Sequence, residues 1–409
     1  MKRALVIVFL IINYAQLSAQ IVLTIEGTEV IDTETGLSFG VNIPRSQRTI
    51  FSYLNNSITS VNAAGYLLQA GDENPGDYNN NLDGEILTGN KFTWNGTDVS
   101  SWTHALFTGY NIDVVIKYNY LKNTPNGIQR KSDGMTDNSG VIAYNILNNP
   151  KLGIAVKGIN GIRIYNNTFY SEYTPAQTSR GLIDIHANTD NDLNVISTGT
   201  KVFNNIFYTR NRVLIIKINE TECLEGFESD YNVFWCEAGE PVFAIEGQSK
   251  TFTQWQSLGY DLHSVVINPD FNNFNDFVPM IRLDYGKDLG SELQEGLAID
   301  ATWGKTDPGT VSQNGSWQVG ARIAKSSDEA IKIYFNADLN QLFVEIADIS
   351  LPYQTIKIHD LNGKVVLIKP VEHTVTIIPI PESFSTGIYI ITLESANLDR
   401  YSKKVFIVS

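Results

Sequence analysis

The sequence predicts an all-β protein, a parallel β-solenoid followed by a small β-sandwich. Three observations carry this. A short apolar segment built around an asparagine recurs five times in the middle of the chain. Within the recurring segments apolar residues are spaced by two, and Gly, Asn and Thr break any helical period. The final eighty or so residues hold short strand-like runs separated by turn residues.

The chain has 409 residues, of which 18% are charged and 11% aromatic. This is a globular, strand-leaning composition, neither disordered nor collagen-like. Its 44 acidic and 30 basic side chains give a formal charge of −14. A nucleic-acid partner is therefore not expected, since phosphate binding needs a basic footprint. At the N-terminus, Lys2 and Arg3 precede a short apolar run at residues 4–12 and a Leu17-Ser18-Ala19 exit. Residues 1–19 read as a secretory signal, with the mature chain starting near Gln20. The run is too short for a membrane span and no second one follows, so no transmembrane segment is expected. No cysteine follows the cut, which argues against a lipid anchor. In an oxidising compartment Cys223 and Cys236 are either a disulfide or two buried free thiols.

The repeats are residues 116–121 (IKYNYL), 142–147 (IAYNIL), 164–169 (IYNNTF), 202–207 (VFNNIF) and 229–234 (SDYNVF), with a weaker copy at 88–92 (TGNKF). The gaps between Asn119, Asn145, Asn167, Asn205 and Asn232 are 26, 22, 38 and 27 residues. Such a period means one coil per repeat, because no coil can bury its apolar face alone. The asparagine then sits in a turn where its amide bonds to the copies above and below. After each of the first three repeats comes a second strand that opens with glycine, at Gly127, Gly153 and Gly181, and a fourth reads VLIIKI at 213–218. Loops at 170–180 and 189–199 interrupt the period.

This pattern resembles the right-handed parallel β-helix of the pectate-lyase-like superfamily over residues 49–323. The resemblance implies a parallel β-helix over residues 20–325, with an N-terminal cap and coils from about residue 45. Residues 251–259 (TFTQWQSLG) and the following Asp261 and Asn268-Pro-Asp-Phe271 resemble the closing segment common in such secreted proteins. In residues 326–409 the runs at 333–336, 356–366, 387–391 and 403–408 alternate with turns, and Asn362-Gly363 is a hairpin signal. About seven short strands make a small sandwich. The Asp-Leu-Asn-Gly-Lys turn, the Gly-Ile-Tyr strand and the final Lys-Lys-Val strand resemble the C-terminal sorting domain of type IX secretion in the Bacteroidota. Phe335-Asn336-Ala337 replaces the usual Tyr-Pro-Asn-Pro. That resemblance implies the type IX machinery as a partner and a secreted or outer-surface location. An accessory carbohydrate-binding sandwich is the alternative.

Alternation along the second strands turns Lys131, Lys157, His186 and Lys217 outward in one column, with Asp184 beside it. Adjacent coils lie about 4.8 Å apart. Like charges at that spacing repel by roughly 3 kcal/mol at an effective dielectric near 20. Such crowding pushes a lysine towards use as a base. A register slip of one would exchange Arg130 for Lys131. Secreted β-helices of the resembled superfamily commonly act on polysaccharides, and a row of cations suits an acidic one. The expected activity is β-elimination, which neutralises a uronate carboxylate and removes the proton α to it. Lys157 or His186 would be the base, Asp184 would orient His186, and Lys131, Arg130 and Lys217 would bind substrate.

A glycoside hydrolase on the same fold would need two carboxyl groups about 5–10 Å apart, for which Asp133 and Asp184 are candidates. A non-catalytic glycan-binding surface protein or adhesin would carry groove aromatics, for which Tyr66, Tyr110 and Tyr173 are candidates. Lyases of the superfamily often bind Ca2+, but Pro125 and Asn126 stand where acidic ligands would be expected. Two loops offer oxygen ligands for Ca2+: Asp72, Glu73, Asp77 and Asp83, and Asn188, Asp190, Asp192 and Asn194.

Overall fold

Each turn of the solenoid is a coil of three strands laid on the coil before it. In the computed structural model, residues 21–31, 37–39, 49–61, 65–70, 82–97, 102–109, 111–132, 139–190, 193–280, 282–304, 306–313, 315–324, 331–337, 339–346, 353–371, 374–395 and 400–408 are described. The chain divides into two units, residues 1–324 and 325–409. In the first, the described residues of successive coils build three nine-stranded sheets, here A, B and C. One central coil runs through Gly140–Ala143 in sheet A, Ile146–Asn148 in sheet B and Leu152–Lys157 in sheet C. Coils pair in parallel; the last strand of sheet C, Gln248–Thr251, returns antiparallel.

The turn from sheet A to sheet B explains the repeat. Asn119, Asn145, Asn167, Asn205 and Asn232 are all fully buried. Each side-chain amide donates to the Oδ1 of the next, at 2.9 Å from Asn119 to Asn145 and from Asn145 to Asn167, and at 3.1 Å for the following two steps. The ladder extends back through Asn90 to Asn56. Before each ladder asparagine stands a residue of positive φ, among them Asn55, Gly89, Tyr118, Tyr144, Asn166, Asn204 and Tyr231. Left-handed tyrosines are uncommon; here the Tyr118 and Tyr144 hydroxyls donate to the carbonyls of Glu295 and Leu293. The ladder ends on Asp261, which accepts from Asn232, Ser229, Ser264 and Trp255. Thus the closing segment has a physical role. Its helix Phe252–Ser257, started by a Thr251/Gln254 capping box, buries Trp255 against Phe243.

Inside, inward residues of successive coils stack: Phe169 on Phe207 with ring centroids 4.7 Å apart, and Phe207 on Phe234 at 5.3 Å. The coils begin earlier than expected, since Ile21–Glu26 already pairs in parallel with Thr49–Leu54. They also end earlier, at Val265–Val266. The chain beyond lies over the outer faces of sheets A and B. Leu293, Trp317 and Ile323 pack on Val141, Tyr144 and Phe203, while Phe277, Leu297 and Ala321 pack on Ile146, Tyr170 and Tyr208.

Among its described residues the second unit is an antiparallel sandwich of seven strands. Ile331–Asn336, Gln341–Ile346 and Val375–Pro379 form one sheet. Tyr353–His359, Val365–Pro370, Gly387–Ser395 and Arg400–Ile407 form the other. Both contribute to one core, including Leu342, Ile358, Ile378 and Ile391. The expected Asn362-Gly363 hairpin is present, with the Asp360 carboxylate accepting from the Asn362 and Lys364 amides at 2.9 Å. No helix among the described residues is long and apolar enough to cross a membrane.

Candidate functional site

Sheet C presents the chemistry. A kink after its first residue turns two consecutive positions inward; Leu182 and Ile183, like Ile215 and Ile216, all join the core. Alternation then resumes, and the outward rows follow from the pairing. Gln129, Ala155, Asp184 and Lys217 form one row, and Lys131, Lys157 and His186 the next. Lys217 therefore stands beside Asp184 and not beside His186, two residues from its expected register. Arg130 is corrected too. It pairs with Thr108 and Val156 in an inward row and is fully buried, so it cannot face a substrate.

The like-charge crowding expected of the lysines is relieved by a loop residue. The Asp190 carboxylate lies between them, 2.9 Å from Lys131 Nζ and 2.5 Å from Lys157 Nζ. Partial desolvation opposes its ionisation, but hydrogen bonds from Lys157 and Lys131 outweigh this and hold the carboxyl below its usual range. Asp190 is thus committed to the lysines, and Asn188 holds the loop by donating to the Ser132 carbonyl and accepting from Asp190 N. These two expected Ca2+ ligands have other work. Asp192, Asp72, Glu73 and Asp77 lie outside the described residues, as does the Asp83 side chain. Among the described residues no three acidic, His or Cys side chains gather as a metal site.

His186 Nδ1 lies 3.1 Å from the Ala187 carbonyl. A carbonyl only accepts, so Nδ1 carries the proton and Nε2 the lone pair. Nε2 has no hydrogen-bond partner among the described residues. Burial lowers the pKa of His186 and Lys157 and Arg180 add to this; Asp184 and Glu220 oppose it, with a net fall below 6.5. Asp184 does not orient the ring by hydrogen bonding. Its fully buried carboxylate accepts from Asn219 Nδ2, and its other oxygen lies 3.6 Å from Arg180 Nη1, a charge contact without a hydrogen bond.

Arg180 ends the inserted loop at 170–180, and its guanidinium lies 5.4 Å from the ring centre of Trp102, as does Lys151 Nζ. Trp102 is 61% exposed. His104, paired with Asn126 on the same sheet, sits close by. Burial first, then Lys151 and Arg180, lower its pKa to about 4 against a backbone hydrogen bond at Trp102. Sequence reasoning missed Arg180, Trp102, Lys151 and His104, and it gave Asp190 a calcium in place of the two lysines that it pairs. Arg180 and Asp190 come from loops that break the period.

Of the candidate aromatics, Tyr66 packs at a tilt against His104 and Phe107, Tyr173 is buried, and Tyr110 lies outside the described residues. So does Asp133, one of the two carboxylates considered for hydrolysis. Cys223 and Cys236 are free, buried thiols and form no disulfide. Desolvation and Glu220 push the Cys223 thiol up to about 12.

Residues 330–408 match the family model of the secretion system C-terminal sorting domain. The sorting domain marks the protein for type IX secretion, to the medium or the outer cell surface. Comparison with curated proteins and with solved structures finds no match for the chain.

Proposed function

We propose that the protein acts on an acidic polysaccharide and cleaves it by β-elimination on the outward face of sheet C. On this reading residues 1–19 are an export signal, 20–325 the working solenoid and 326–409 the sorting sandwich. The observation that carries the reading is His186, a neutral imidazole with an unbonded Nε2 beside Lys157 and Arg180, with Lys131 one strand further along the row. Nε2 takes the proton α to the uronate carboxylate. The developing negative charge spreads onto that carboxylate, where the cations stabilise it. The electron pair then forms the ring double bond, the glycosidic C–O bond breaks, and the leaving oxygen takes a proton from the imidazolium or from water. Lys157 serves as a clamp in this scheme, because its amine is already held by Asp190. Asp184 is a positioning residue for Arg180, and Lys217 flanks the site.

Trp102 favours a second reading, glycan binding without cleavage, since an exposed indole beside two cations suits a sugar carrying a charge. Incubation with a panel of uronate-containing and sulfated glycans separates the readings. Elimination yields the ultraviolet absorbance of an unsaturated uronate. New reducing ends without that absorbance indicate hydrolysis, and retention without cleavage indicates binding alone.

A further inference from the structure

The outward face of sheet B, where the chain beyond the coils crosses it, holds a pocket of about 410 Å³. That is within the usual range of small-ligand sites. Lys91 and Lys122 enter it from adjacent strands, Lys91–Trp94 and Tyr120–Lys122. Lys122 Nζ touches Asn275 Oδ1 at 3.0 Å and has donors to spare. Trp303 is anchored by its Nε1 donating to the Tyr118 carbonyl at 2.7 Å, and its ring lies 4.9 Å from that of Tyr120.

Arg322 forms the floor and is only 4% exposed. Its Nε donates to the Asp276 carbonyl, and its Nη1 to the carbonyls of Ala298, Ile299 and Ala301, at 2.7–3.1 Å. These acceptors are neutral, so the guanidinium charge is not cancelled by a contacting carboxylate. Nη2 makes no hydrogen bond among the described residues. Asp276 is the one carboxylate lining the pocket, and its Oδ2 is occupied by Asn273 at 2.8 Å. Three cations against one carboxylate stand out on a chain of net charge −14.

We propose that this pocket is a second glycan site, separate from the sheet C face, which binds one sugar ring bearing an oxyanion. Arg322 Nη2, Lys91 and Lys122 take the carboxylate or sulfate through charge-assisted hydrogen bonds, with Nε and Nη1 already held by backbone carbonyls. Trp303 carries the Arg322 guanidinium 5.2 Å from its ring centre and so holds that charge at the pocket wall. The site holds polymer and needs no elimination chemistry at His186.

Calorimetric titration of the full chain tests this, in a His186→Ala background so that no probe is turned over. The probes are a uronate hexasaccharide, a neutral-sugar hexasaccharide bearing sulfate esters, and its unsulfated parent. At least one anionic probe binds and the unsulfated parent does not; which anionic probe binds identifies the oxyanion. Adding Lys91→Glu and Lys122→Glu weakens one class of binding sites by about tenfold or more. The melting temperature stays unchanged, because both lysines are partly exposed. In the wild-type background the same pair of changes leaves the turnover of a short substrate at its original kcat. If elimination is absent but charge reversal still removes binding, the sheet C reading fails and this one stands. Equal binding by the charge-reversed chain, equal binding of the unsulfated parent, or no binding of either anionic probe overturns it.

Discussion

Asn145→Ala should cost the solenoid roughly 3–4 kcal/mol, and the ladder geometry says why. Asn145 is fully buried. Its Oδ1 accepts from the Asn119 backbone amide and from Asn119 Nδ2, both at 2.9 Å. Its Nδ2 donates to the Ile116 carbonyl and to Asn167 Oδ1, also at 2.9 Å. After truncation Asn119 Nδ2 keeps the Leu87 carbonyl, and Asn167 Oδ1 keeps the Asn145 amide. The Asn119 backbone N–H keeps nothing. An orphaned buried donor costs about 1–3 kcal/mol, and each further lost bond about 0.5–1.5 kcal/mol. Urea denaturation followed by tryptophan fluorescence measures the loss, with the exposed Asn160→Ala as control, expected within about 0.5 kcal/mol of wild type. An Asn145→Ala midpoint equal to that of the control would refute the view that the ladder holds the coils together.

Elimination should rise with pH through an inflexion below 6.5, because His186 acts unprotonated and its environment lowers its pKa. An inflexion above that value, or a rate falling with pH over the same range, would exclude it as the base. His104, lowered to about 4, leaves the unfolded chain to bind the proton first as pH falls through 6.5. Its contribution is present above pH 6.5 and lost towards about pH 4, a loss of about 3 kcal/mol. His104→Gln should therefore lose less melting temperature between neutral pH and about pH 4 than wild type does; equal losses would contradict this. Denaturation without reductant should expose two titratable thiols, Cys223 and Cys236. Finding none would mean that the pair is oxidised.

The coil architecture was legible because each ladder asparagine follows a left-handed residue and precedes an apolar run, a local signature repeated once per coil. The sheet C faces were legible from alternation, which kept Lys131, Lys157 and His186 together. Lys217 escaped because a slip of two residues leaves every side chain on its original face, and a hydrophobic pattern detects only odd slips. The kink that turns Leu182 and Ile183 both inward has no marker in composition. Asp190 and Arg180 belong to loops, whose paths are set by tertiary contacts and not by period. The first coil, beginning at Ile21, was hidden because its strands lack the asparagine turn, offering Gly27-Thr28 instead.

The most direct measurement is steady-state elimination by His186→Ala beside wild type, on whichever acidic polysaccharide yields the unsaturated product. The expected result is a kcat lower by at least ~10², the usual scale for a general base, with KM little changed. A variant that retains wild-type kcat would contradict the assignment and reduce the sheet C cations to a binding surface.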